Sequence, residues 1–94
     1  MNWKHSFRMR DLLSNDTSDE NAVRVAKELA GRMKASKLFE DFEGQNMIAD
    51  LEDIVVDSND LNDILESFWD YCEWRKIWVH FDERRTWKPE EVVK

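Results

Sequence analysis

Twelve carboxylates and no lysine or arginine lie between Phe39 and Trp74: Glu40, Asp41, Glu43, Asp50, Glu52, Asp53, Asp57, Asp60, Asp63, Glu66, Asp70 and Glu73. Carboxylates in such number suit three kinds of chemistry. A pair can act as general acid and base, a loop of them can hold a divalent cation, and rows of them can present negative charge as regularly as a phosphate backbone does. Catalysis requires a pocket that perturbs the pKa of at least one member. Here the acids fall at helical spacing opposite apolar positions, where water keeps them ordinary acids, and no catalytic motif accompanies them. The expectation is a protein that is not an enzyme.

The cation reading fails on spacing. An EF-hand loop asks for oxygen ligands at positions one, three and five, glycine at six and glutamate at twelve. Counted from Asp57, those places hold Asp57, Asn59, Leu61, Asn62 and Phe68, so the match ends after the second ligand. Helix capping explains Asp57 to Asp60 better. Zinc fares no better, because Cys72, His5 and His80 are the only soft ligands and share no paired spacing. Cys72 falls on an apolar helix face and reads as a small core residue. No Gly-rich phosphate loop is present, and no cofactor is expected.

Aromatics form a second concentration. Phe68, Trp69, Tyr71, Trp74, Trp78, Phe81 and Trp87 crowd the C-terminal third. Phe68 and Tyr71 fit a core face, whereas Trp69 and Trp74 lie away from its centre and are candidate interface anchors. Arg75, Lys76, Arg84, Arg85 and Lys88 lie among these rings, a mixture that can bind single-stranded nucleic acid by charge and stacking. Asp82, Glu83, Glu90 and Glu91 dilute that charge, and the chain total is −7. The balance disfavours direct nucleic-acid binding and leaves it as an alternative.

The elements that must position these groups follow from composition and periodicity. Ninety-four residues, 41% apolar and 37% charged, make one small globular domain. Two glycines and one proline make turns with positive φ scarce and favour helices joined by polar loops. A lone cysteine, no apolar run near the ~18 residues of a membrane span and no signal-peptide core point to a cytoplasmic protein that meets no membrane.

Residues 2–10 alternate, with Trp3, His5, Phe7 and Met9 on one side, and read as a short strand followed by a helical turn through Leu13, the alternative being a helix from about Ser6 with Met9, Leu12 and Leu13 inward. Thr17 to Glu20 fits a capping box that opens a helix to about Ser36, with Ala22, Val23, Ala26, Leu29, Ala30 and Met33 as its apolar stripe. Gly31 within it either admits a close helix neighbour or is tolerated. Leu38, Phe39 and Phe42 form an apolar knot before Gly44, a stop signal. A second helix spans about 45–56, with Met47, Ile48, Leu51, Ile54 and Val55 inward, and a third spans about 59–74. On the third, Leu61, Ile64, Leu65, Phe68, Tyr71 and Cys72 share one face, opposite Asp60, Asp63, Glu66, Asp70 and Glu73. Lys76 to Phe81 alternates as a strand able to pair with the N-terminal one, and 82–94 reads as a charged tail that Pro89 keeps from being helical.

The fold expected is therefore mainly α, with α+β as the alternative: three helices and short terminal strands able to pair, in a single domain. The expected function is a small acidic protein-binding module whose partner carries a basic surface. Asp50, Asp53, Asp57, Asp60, Asp63, Glu66, Asp70, Glu73, Trp69 and Trp74 are its candidate partner-binding residues. Carboxylate rows can imitate a phosphate backbone, so an inhibitor of a nuclease or other nucleic-acid-binding protein fits. Phage and mobile-element inhibitors, antitoxins and immunity proteins share this size and charge. The alternatives are a structural or homodimer-forming helical protein, in which the rows are only solvated faces, and a single-strand binder acting through the aromatic and basic C-terminal segment.

Overall fold

The computed structural model describes residues 16–81 and 87–91. Three helices come first, α1 (Asp19–Ser36), α2 (Phe42–Asp53) and α3 (Ser58–Arg75). A two-stranded antiparallel ribbon follows, β1 (Ile77–Phe81) with β2 (Trp87–Glu91). The mainly α expectation holds. The strand and turn expected within residues 2–13 lie outside the described residues.

Each helix starts on a side-chain oxygen. Ser18 caps α1, its Oγ accepting the Asn21 N–H at 3.2 Å. The cap is thus one residue later than the capping box anticipated, and Glu20 is not its reciprocal partner. Asp41 caps α2 and Asp57 caps α3, through the N–H groups of Gly44 and Asp60. A carboxylate at each of these two N-termini also meets the positive end of the helix dipole. Asp19, in the first turn of α1, accepts the Ser58 N–H at 3.1 Å and joins the starts of α1 and α3.

Two helix ends depart from the glycine-poor expectation. α1 closes on Lys37 and α3 on Lys76, at φ 60° and 57°. Left-handed caps are common at helix ends, and the missing Cβ makes glycine their usual occupant. Here lysines take the place, while both glycines lie inside helices. A Cβ on Gly31 would meet nothing within 4 Å, so that glycine is tolerated and admits no close neighbour. Gly44 is not a stop signal. It sits in the first turn of α2, where a Cβ would come 2.5 Å from the Phe39 carbonyl oxygen. The helix therefore begins three residues earlier than expected, because this glycine lets the α1–α2 connection fold against it.

The core forms where the three helices and β1 meet. Ala22, Val25, Ala26, Leu29, Ala30 and Met33 from α1 are buried, with Val25 replacing the expected Val23, which is half-buried. The alanines allow close approach by α2 and α3. Phe39 stacks on Phe68 at 5.7 Å and on Tyr71 at 5.6 Å between ring centroids. Leu61, Leu65, Phe68, Tyr71 and Cys72 are buried on α3 as expected, with Ile64 packed at the margin. On α2, Met47, Ile48 and Leu51 turn inward and Val55 follows, but Ile54 is 56% exposed. Because α2 ends at Asp53, residue 54 is its C-cap and leaves the helical stripe. Phe42 also leaves the expected apolar knot, at 81% exposed on the first turn of α2.

Ile77 and Val79 of β1 are buried, as their alternation requires. The partner strand arises within the stretch read as a charged tail, with Ile77 opposite Glu91, Val79 opposite Pro89 and Phe81 opposite Trp87. In a two-stranded ribbon every residue belongs to an edge strand, where proline's missing donor is tolerated. Among the described residues, no helix is long and apolar enough to cross a membrane.

Candidate functional site

The carboxylates of the acidic segment divide by what they touch. Asp41 is the most engaged. Its Oδ1 accepts from the Gly44 N–H at 2.8 Å and from the Tyr71 hydroxyl at 2.7 Å, and its Oδ2 accepts from the Arg75 guanidinium at 3.1 Å. The Tyr71 hydrogen bond, the Gly44 N–H and the Arg75 charge together hold its carboxyl below the ordinary range. Burial and the same carboxylate push the Tyr71 phenol up. Nothing in the sequence singles out Asp41, since Tyr71 is 30 residues away and Arg75 is 34 away.

Three other acids serve the fold directly. Asp57 accepts the Asp60 N–H at 2.9 Å, and Asp60 in turn accepts the Val56 N–H at 3.2 Å. These two members of the candidate set are committed to the start of α3, as capping predicts. Glu52 pairs with Lys34 of α1 at 2.6 Å. Among the described residues, Asp50, Asp53, Asp63 and Glu66 enter no ion pair and cap no helix. Asp53, Asp63, Glu66, Asp70 and Glu73 are exposed and Asp50 is half-buried.

Four residues link α2 to α3, and the chain folds back so that Asp41 at the start of α2 meets Tyr71 and Arg75 at the end of α3. Between the two helices lies a shallow groove of about 470 Å³, lined by Glu43, Asn46, Met47 and Asp50 from α2 and by Ser67, Asp70, Tyr71 and Trp74 from α3. On each helix the lining residues recur at three- or four-residue intervals, as one stripe. The groove thus joins Asp50, Asp70 and Trp74 of the candidate set. It adds Tyr71, a neighbour of Asp70 and Trp74 on α3, and brings in Glu43 with Asp50 from α2, which the wheel of α3 alone could not associate with them. Asp53, Asp63, Glu66 and Glu73 lie outside its lining.

The two candidate tryptophans differ. Trp69 is half-buried and meets Phe68 edge-on, with ring centroids 4.8 Å apart. Trp74 is 67% exposed, touched by the edge of Tyr71 at 6.3 Å and by the Arg75 guanidinium at 5.7 Å from its centroid. Cys72 is fully buried and its thiol is pushed up by desolvation, which suits a core residue and not a nucleophile. Among the described residues, no three His, Cys, Asp or Glu side chains converge as metal ligands would.

No protein-family model, curated protein or solved structure matches this chain.

Proposed function

We propose that this chain is a non-enzymatic protein-binding module that docks the carboxylate face of α2 and α3 on a basic surface of another protein. The partner class that fits best is a nuclease or other nucleic-acid-binding protein. Its phosphate-binding surface would accept rows of carboxylates in place of a backbone.

One observation carries this reading. The last turn of α2 holds Asp50, Glu52 and Asp53 and no base, at the end of the helix where its dipole is negative. Each acid so placed costs the helix about 0.3–1 kcal/mol, and only Glu52 has an ion-pair partner among the described residues. α3 continues the theme with Asp63 and Glu66 on its exposed side. Carboxylates that work against local stability suit a surface held for binding. Paired charge across an interface contributes most to association rate and partner choice.

The test is capture of the partner from the source cell, identified by mass spectrometry, followed by binding of a neutralised variant. Asp50→Asn, Asp53→Asn, Asp63→Asn and Glu66→Gln together remove four charges and leave the core intact. Association should slow by about tenfold or more, and wild-type affinity should fall steeply between low and high salt. A partner that binds the neutralised chain as tightly as wild type across the salt series would overturn the proposal.

A further inference from the structure

We propose that the groove between α2 and α3 seats an arginine side chain of the partner, its guanidinium lying on the Trp74 indole in the field of the Glu43 and Asp50 carboxylates that line the groove. This rests on the reading of the acidic face as the binding face and names the group that anchors it.

The groove has two complementary parts. Met47, Tyr71 and Trp74 give it apolar and aromatic surface, while every charged residue in its lining is an acid. A ligand that satisfies both parts must be cationic and must also tolerate stacking. Arginine meets both demands. Its guanidinium is planar, weakly hydrated, stacks on aromatic faces and forks onto carboxylates. Lysine carries the same charge as a compact, strongly hydrated ammonium and gains less from the indole. A volume of about 470 Å³ is also small for an interface, and a single long side chain with its neighbours suits it.

The ring already meets the guanidinium of its chain neighbour. Arg75 lies 5.7 Å from the Trp74 centroid while its Nη1 is held by Asp41 at 3.1 Å. The indole nevertheless remains 67% exposed, a large aromatic surface at the mouth of an anionic groove. Met47, also in the lining, has an unbranched, polarisable side chain of the kind that adapts to an inserted group. Buried aromatic and arginine contacts of this kind are the usual anchors of protein interfaces.

The test titrates the full chain, uniformly labelled with nitrogen-15, with hexa-arginine and hexa-lysine peptides. The signal followed is the Trp74 indole N–H, assigned by its loss in Trp74→Phe. Hexa-arginine should bind several-fold more tightly than hexa-lysine at equal ionic strength and shift the indole signal. Trp74→Ala, and separately Glu43→Gln with Asp50→Asn, should weaken hexa-arginine by about tenfold. Glu20→Gln with Glu40→Gln removes the same charge from exposed positions outside the groove and outside the α2–α3 face, and should cost no more than about twofold. Equal binding of the two peptides, or equal losses in the groove and control pairs, overturns the arginine seat. If the peptides still bind in a salt-dependent manner in that case, the acidic binding face survives without it. If neither peptide binds at low salt, both readings fall.

Discussion

α1 and α3 are both 18 residues long, both capped by a side-chain oxygen, and both closed on a left-handed lysine. Their apolar stripes meet in one core. Their exposed faces are built on opposite plans. α1 carries three acids and four bases, and Glu28 bridges Arg24 and Arg32 at 3.1 Å on either side. α3 carries five acids and a single base at its last residue. The charge of α1 is arranged as helix stability asks, with opposite signs four residues apart and Asp19 and Glu20 at the positive end. The charge of α3 fits the dipole at its two ends, Asp60 and Arg75, but Asp63, Glu66, Asp70 and Glu73 between them face no base at three- or four-residue spacing within the helix, although the same packing supports it. Burial alone therefore does not account for the carboxylate rows.

If packing is equivalent, equal truncations should cost equally. Leu29 and Leu65 are 0% and 1% exposed, one on each helix. Leu29→Ala and Leu65→Ala should each lose about 2–5 kcal/mol, read as a shift in the urea midpoint at constant slope. A Leu65→Ala protein melting within a degree or two of wild type would show α3 to be peripheral and would end the comparison.

Asp41 is the most engaged of the acids in the α2–α3 half that serve the fold as the acids of α1 do. Asp41→Ala should cost about 0.5–2 kcal/mol for the cap alone, and it also leaves the Tyr71 hydroxyl and the Arg75 guanidinium without their acceptor. Asp41→Asn separates these effects, because asparagine caps nearly as well but carries no charge. The carboxyl is held below its ordinary value of 3.8, so its charged interactions stabilise the fold fully above that pH. That stabilisation disappears as pH falls through the depressed folded value. Asp16 titrates in the same direction through its hydrogen bonds with Ser18, so the readout is a difference. Between pH 5 and pH 2, wild type should lose more stability than Asp41→Asn. Parallel acid-melting curves for the two proteins would show that the Asp41 charge adds nothing.

The helices were legible in the sequence because their apolar residues recur every three or four positions and polar caps punctuate them. Asp57 and the α3 face of Leu61, Leu65, Phe68 and Cys72 are local patterns, readable one element at a time. The start of α2 was not, because Gly44 has opposite meanings in a chain end and in a first turn. Only the approach of the Phe39 carbonyl decides between them. β2 was hidden by Pro89 and by a charge density that resembles a tail. The groove was half legible. Asp50, Asp70 and Trp74 stood out singly, but the company of Glu43 and Asp50 with Asp70, Tyr71 and Trp74 depends on how α2 lies beside α3. The Asp41–Tyr71–Arg75 node is tertiary throughout and left no periodic signal.

The smallest expected effect decides most about the comparison, because it is a difference of sign. Glu28→Gln in α1 removes the acid between Arg24 and Arg32. Both pairs are exposed to solvent and at four-residue spacing, so the loss should be about 0.3–1 kcal/mol, smaller in high salt. Asp63→Asn with Glu66→Gln in α3 also removes negative charge from an exposed helix face. There it should leave stability unchanged or raise it by a few tenths of a kcal/mol, since like charges at three-residue spacing repel. Both variants keep side-chain shape, so packing cancels from the contrast. Urea midpoints at low and high ionic strength give the two signs, and added salt should shrink both effects. A loss of stability in the α3 variant equal to that of Glu28→Gln would mean that Asp63 and Glu66 hold the fold together as Glu28 does. The carboxylate rows would then be structural, and the case for a binding face on α2 and α3 would lose its footing.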